Sequence, residues 1–420
     1  MVASRDSCQT FSMKLYLAWV CSLGVTFLVQ AAAAGEAGVN PVGLLNRELV
    51  AADGASGDSF GYSIALHGDI AVIGAPAATV GGNHAQGAVY VFQLIGSNWT
   101  QVQKLIANDG SAFDDFGNSV AFDRSTIIVG APDVAIDGNA GQGAAYIFTL
   151  SGDVWSQTQK LLAADGALGN EFGESVAIQG DTAVIGAIQL LHGPGAAYIF
   201  NNTGSAWMQI QELTAAEGSA TFGSSVALDG NQLLIGAQQT DVGGRFDEGA
   251  AFVFADENGT WSETAELTPG DDTMFDSFGG SVALEGPTAL VGASGALIDG
   301  QQIGAAYLFH QQGGNWHQTQ RLTATDARGG AGFGSSVSLS GNTACIGADQ
   351  YATNGKGKAY LFENSDNTWT QANEVRAANP TGNDEFGWSG ALDQRTLLIG
   401  AWGAKVNGHN AQGAAYVRHY

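Results

Sequence analysis

The chain has 420 residues, 45% of them hydrophobic and only 13% charged, with 61 glycines against 7 prolines. That apolar share excludes disorder as the main state, and so much glycine without a collagen period argues for many tight turns and against long helices. Fifteen Lys and Arg stand against 40 Asp and Glu, and the resulting charge of −25 excludes nucleic acid and anionic membrane as partners, because phosphate surfaces would repel the chain.

In chain order, the first predicted element is a leader. An apolar run over 15–29 follows Lys14 and ends in Ala31, Ala32, Ala33 and Ala34. It is too short for a membrane span and has the small-residue exit of a secretory signal, so residues 1–34 are expected to be removed. No second apolar stretch approaches membrane length, and the mature chain, 35–420, is expected to be exported, soluble and not membrane-spanning. Cys8 and Cys21 fall in the leader and Cys345 stands alone, so no internal disulfide is expected.

The rest repeats. Phe-Gly pairs begin at Phe60, Phe116, Phe172, Phe222, Phe278, Phe333 and Phe386, spaced by 56, 56, 50, 56, 55 and 53 residues. Each is followed by a Gly-Ala step, at Gly74, Gly130, Gly186, Gly236, Gly292, Gly347 and Gly400. A third landmark is an aromatic after a run of small residues: Tyr90, Tyr146, Tyr198, Phe252, Tyr307, Tyr360 and Tyr416. The fourth is a tryptophan: Trp99, Trp155, Trp207, Trp261, Trp316 and Trp369. Such a period, with four short strands in each copy, predicts a β-propeller.

In the second repeat the predicted strands are 119–122, 126–131, 144–150 and 155–163. The first alternates Gly117, Ser119 and Ala121 against Val120 and Phe122, which suits an innermost strand where blades converge on small groups. The second is continuously apolar, as when both faces are covered. The outer strand mixes Trp155 and Leu161 with polar residues, and a charge recurs at Lys104, Lys160, Glu212, Glu266, Arg321 and Glu374 to guard an exposed edge. The seventh repeat has no outer strand, because the sequence stops four residues after Tyr416. The segment from Leu49 to Gly54 matches that from Leu161 to Gly166, so the N-terminal strand is expected to complete the last blade and close the ring. The fold class is therefore all-β, a seven-bladed β-propeller of four-stranded blades in one domain.

The Phe-Gly pairs, the Gly-Ala-Pro steps intact at Pro76 and Pro132, and the sevenfold register resemble the FG-GAP repeat family over about 43–420. Its best-known members are the N-terminal propellers of integrin α subunits. A nearer likeness is to secreted members with a Trp-x5-Leu-x-Ala-x-Asp-Gly outer strand. The resemblance implies a seven-bladed propeller used for binding or adhesion. The family's calcium loops do not carry over: turns such as His67-Gly68-Asp69 and Asp229-Gly230-Asn231 lack three alternating oxygen ligands, and their glycine suits a hairpin instead. No metal site and no cofactor are expected.

A second acidic set precedes the Phe-Gly pairs: Asp53, Asp109, Asp165, Asp271 and Asp326 seven residues upstream, and Asp58, Asp114, Asn170, Asp276 and Asp384 two upstream. These either form a ring for cations or a basic partner, or they start turns and cap loop amides. Their recurrence favours the second reading. The histidines occupy unlike positions, although His84, His192 and His409 could meet on one face, and Cys345 replaces an aliphatic strand residue. No catalytic residue is assigned.

Loops between second and third strands differ most among copies: 77–86, 133–142, 188–194, 238–248, 294–303, 349–356 and 402–412. They are expected on one face with the blade-to-blade connections, while the opposite face carries only clipped hairpins. Variation on a constant scaffold marks a binding surface. The candidate ligand-binding residues are Arg245, Phe246, Asp247, Tyr351, Lys356, Trp402, Lys405 and His409, facing an extracellular protein or glycan. The expected role is a secreted or cell-surface binding or adhesion module. The alternatives are a polysaccharide-active hydrolase or lyase, which convergent acids of raised pKa would favour, and a structural surface-layer component.

Overall fold

Five consecutive buried residues close each second strand, for example in Thr126–Ala131 and Thr182–Ala187, because each is the middle layer of a stack covered on both faces. The computed structural model describes residues 43–45, 47–189, 194–215, 219, 221–270, 274–326, 328–350, 355–394 and 396–419. The first blade is the antiparallel sheet Ile64–His67, Ile70–Ala75, Ala88–Ile95 and Asn98–Leu105. In the second, the strands are Ser119–Asp123, Thr126–Ala131, Ala144–Ser151 and Val154–Leu161, within two residues of expectation. Blades three to six repeat this order, and the whole is a seven-bladed propeller.

The core lies between blades, in seven layers. One layer joins Val72 and Val89 of the first blade to Phe116, Ile127, Val129 and Tyr146 of the second. Every Phe of a Phe-Gly pair is fully buried. Phe116 meets Tyr146 edge-on at 5.4 Å between centroids, and Phe60, Phe172, Phe278 and Phe333 meet their own third-strand tyrosines at 5.4–5.5 Å.

A side-chain staple explains the rest of the motif. In each blade a first-strand serine donates to the carbonyl of the next blade's Phe-Gly glycine: Ser63 to Gly117 at 2.7 Å, Ser119 to Gly173 at 2.8 Å, and so round to Ser389 and Gly61 at 2.8 Å. The Gly-Ala glycine must stay bare beneath it, since a Cβ on Gly74 would stand 2.1 Å from the Gly117 carbonyl oxygen. Gly117 itself has φ +97°, a conformation closed to most side chains.

The ring closes through the N-terminal strand. Glu48–Leu49 pairs antiparallel with Ala414–His419, with Glu48 opposite Tyr416 and Leu49 opposite Ala415. One feature was not expected. Gly43–Leu45 runs parallel to Thr368–Ala377, so the sixth blade has five strands and the segment spans two blades. Leu45 is buried between blades six and seven with Val375 and Ala401, and Leu49 between seven and one with Phe60 and Ile73. Among the described residues no helix is long and apolar enough to cross a membrane.

Candidate ligand face and channel mouth

The two faces differ as topology requires. Blade-to-blade connections bind the second-to-third loop of the preceding blade through backbone hydrogen bonds: Phe113 N–H to His84, Asp115 N–H to Ala85 at 3.1 Å, and Glu171 N–H to Gly141 at 2.9 Å. Variable loops and connections therefore share one face. On the opposite face hairpins cap their neighbours in the next blade. Asp123 accepts from Gly180 N–H at 2.7 Å, Asp229 from Gly286 at 2.6 Å and Glu285 from Gly341 at 2.8 Å, and Asp393 accepts from Gly68 across the seam. These hairpin acids are structural, and Gly68, Gly180 and Gly230 adopt the positive φ expected of tight turns.

The acids before the Phe-Gly pairs also serve the scaffold. Asp58, Asp114 and Asp384 accept from the amides of Ala55, Ser111 and Thr381 at 2.6–2.7 Å. Asp53 accepts from Tyr90 Oη at 2.9 Å and Lys104 Nζ at 2.6 Å, and Asp109 pairs with Lys160 at 2.7 Å. Burial alone would raise the Asp53 carboxyl, but the Lys104 and Tyr90 hydrogen bonds outweigh it and hold the group below the usual range. Thus the outer-strand lysines, read as edge guards, are also partners of these aspartates. Asp271 lies outside the described residues.

A different set converges on the ring axis. A channel of about 270 Å³ is lined by first-strand residues from all seven blades. Directly after the Phe-Gly pairs stand Tyr62, Asn118, Glu174, Ser224, Gly280, Ser335 and Trp388, and all seven line it. Tyr62, Trp388 and Trp402 form an aromatic group with centroids 5.3, 5.9 and 6.3 Å apart. Nearby, Glu385 is 6% exposed and one of its carboxyl oxygens has no hydrogen-bond partner.

Carboxyls flank this group. Burial, with the like charges of Glu174 and Asp133, pushes Glu171 up to about 7. Glu174, which accepts from Asn118 Nδ2 at 3.2 Å, is raised to about 7 by burial and by Asp133 and Asp115. Burial and Asp133 raise Asp115 to about 6. Burial and Asp349 raise Glu385 to about 7. Tyr62 is pushed up to about 12 by burial and then by the charges of Glu174, Asp115 and Glu385. Asp115, Glu171 and Glu385 occupy the position before Phe-Gly with φ of 53°, 56° and 54°, a left-handed turn into the first strand. Among the described residues no group of three or more His, Cys, Asp or Glu could hold a metal ion.

Of the residues singled out from sequence, Trp402 joins the channel mouth. Arg245 is ion-paired to the fully buried Glu248 three residues on, which fixes its loop. Phe246 is 61% exposed, and the Asp247 amide donates to Asp241 at 3.0 Å in the same loop. Lys356, Lys405 and His409 are exposed on their loops, with His409 Nδ1 3.3 Å from the Gly54 carbonyl. Tyr351 and His192 lie outside the described residues. Cys345 is buried and its thiol is pushed up to about 12 by that burial, as expected of a small hydrophobe. Sequence reasoning missed Tyr62, Glu174, Trp388, Glu171 and Glu385. The signal was there, since the positions either side of an otherwise constant Phe-Gly pair vary among the copies.

The model of the FG-GAP repeat family matches seven times, over 45–92, 99–148, 155–200, 207–254, 261–309, 316–362 and 369–418. Each match takes the outer strand of one blade and three strands of the next, so the first begins with the strand that closes the ring. No curated protein matches the chain.

Proposed function

The chain belongs to the FG-GAP repeat family, and from that premise we propose that it is an exported binding or adhesion module that takes an extracellular glycan or protein on its loop face, centred on the channel mouth. The observation that carries this reading is the half-buried aromatic group of Tyr62, Trp388 and Trp402 beside Glu385, on the face of the second-to-third-strand loops. Aromatic faces and a desolvated carboxyl recognise sugar rings or side chains at low entropic cost. Phe246, Asp247, Lys356, Lys405 and His409 form an outer ring of contacts, with Arg245 holding its loop in place, and Tyr351 belongs to the same set by sequence. Export follows from reading 1–34 as a leader, and the mass of the protein in culture fluid checks it.

The test is a screen of purified protein on glycan and matrix-protein arrays, followed by Trp388→Ala and Trp402→Ala. Each should cost about 1–3 kcal/mol of binding with the fold intact. Loss of binding on changing the hairpins at Gly68 or Gly230, with the tryptophan variants unaffected, would refute the face assignment. The raised carboxyls favour a second reading, cleavage of a bound polysaccharide, with Glu174 or Glu385 as the acid. Release of reducing ends from a bound glycan, abolished in Glu174→Gln or Glu385→Gln, would support it, and intact glycan after prolonged incubation would end it.

A further inference from the structure

The seam between blades seven and one lacks a clamp that four other junctions share, as does the junction of blades four and five, where Ala265 stands in the glutamine's place. At those four an outer-strand glutamine clamps the main chain of the next blade's tryptophan in both directions: Gln103 with Trp155, Gln159 with Trp207, Gln211 with Trp261 and Gln320 with Trp369, all at 2.7–3.0 Å. Aligning Leu49 with Leu105 puts Arg47 where that glutamine stands. The Arg47 carbonyl still accepts from Val417 N–H at 3.0 Å, so the strand register holds while the clamp on Trp99 is lost. Gln101 keeps the other half of the seam shut by accepting from Ala52 N–H at 2.9 Å. Meanwhile Gly43–Leu45 has crossed to blade six, so the far half of the last blade has no outer strand.

What remains is a groove of about 550 Å³ on the hairpin side, lined by Arg47, Arg418, His419, Trp99 and Leu94 among others. Trp99 is half-buried, as is Trp316 at the other unclamped junction, whereas the clamped Trp155, Trp207, Trp261 and Trp369 are at most 7% exposed; the seam adds two arginines to the opened tryptophan. Leu94 faces Trp99 across the hairpin and widens the apolar floor. Arg47 and Arg418 are both exposed and neither has a side-chain partner among the described residues, although the chain carries 40 acids. Lys104, Lys160 and Lys358, by contrast, are each paired with an aspartate. Hydroxyls of Ser97 and Thr396 complete the rim, the latter 3.0 Å from His419 Nδ1.

We propose that this seam groove is a second binding site, for an acidic sugar whose carboxylate or sulfate is held by Arg47 and Arg418 while its ring lies on Trp99. Guanidinium forks match the geometry of such oxyanions, and an aromatic floor suits the apolar face of a pyranose. This site is separate from the loop face and does not depend on the function proposed there.

Calorimetric titration of the full protein with tetragalacturonate, a heparin-derived tetrasaccharide, maltotetraose and sodium sulfate tests the proposal. At least one acidic tetrasaccharide should bind ten times more tightly than maltotetraose, and more weakly as salt rises. Comparing the first two probes tells carboxylate from sulfate. Arg47→Gln, which restores the residue of the clamped junctions, and Arg418→Gln should each weaken binding about tenfold without lowering the melting temperature. Trp99→Phe should weaken both acidic sugars while leaving free sulfate unchanged. Failure of both acidic probes, equal binding of maltotetraose, or wild-type affinity in the arginine variants would overturn the site. Sulfate binding as tightly as the sugars would overturn the role of Trp99.

Discussion

Removing the two leucines that anchor the N-terminal segment should open the ring. Leu45 is 1% exposed and sits in the layer between blades six and seven, while Leu49, at 4%, sits in the layer between seven and one. Truncating a buried leucine costs about 2–5 kcal/mol. Because the two side chains occupy different layers, their effects should add to about 4–10 kcal/mol, a large part of the roughly 5–15 kcal/mol that a folded domain commands. Urea unfolding followed by tryptophan fluorescence, with size-exclusion chromatography in parallel, reads both consequences. Leu45→Ala and Leu49→Ala should each lower the midpoint, and the double variant should lower it by the sum and self-associate through the exposed edge beside Tyr416. A monomeric double variant with the wild-type midpoint would refute closure by this segment. A normal Leu45→Ala with a weakened Leu49→Ala would show that the fifth strand of blade six contributes nothing.

Gly74→Ala should cost more than Ser63→Ala: the second loses one hydrogen bond, about 1 kcal/mol, whereas the first drives a Cβ to 2.1 Å from the Gly117 carbonyl and forces blades one and two apart. Equal urea midpoints for the two variants would show the staple is soft. Glu171, Glu174 and Glu385 are raised to about 7 in the folded chain, so the stability tied to their protonation is complete below about pH 4 and is lost as pH rises through 7. Asp53, Asp109 and Asp326 are lowered, so their contribution is present above about pH 4 and lost on further acidification. The melting temperature should therefore peak between about pH 4 and 6 and fall towards pH 8, with the alkaline fall reduced in Glu385→Gln; a flat profile would count against the buried acids. Chelator should leave the melting temperature unchanged, because the hairpin acids cap backbone amides; a drop of several degrees would assign them to an ion.

The fold was legible because its signals are local and repeated. Alternation along 119–122, unbroken apolar runs such as 126–131, and glycine at each hairpin report strand, burial and turn within a few residues, and seven copies in register cancel individual noise. The closing strand was readable too, since the run from Leu49 to Gly54 copies the outer strands. What the Gly-Ala and Phe-Gly glycines are for was not readable, because their neighbours belong to another blade: the Ser63 to Gly117 bond joins residues 54 apart. Only packing shows that bare backbone is required there.

Function divides along the same line. Variable loops could be assigned to one face from strand order alone, since an antiparallel blade returns its second strand to the side where the first began. The channel mouth could not be, because Tyr62, Glu174 and the neighbours Glu385 and Trp388 come from three blades far apart in the chain and are brought to one axis only when the ring closes. The seam groove is a product of closure as well. Arg47 and Arg418 stand at opposite ends of the sequence, and neither suggests a site until the missing clamp and the crossing of Gly43–Leu45 leave both lining one groove. A linear pattern specifies what each blade buries. Which side chains face one another across the axis and the seam is set by the curvature of the closed ring.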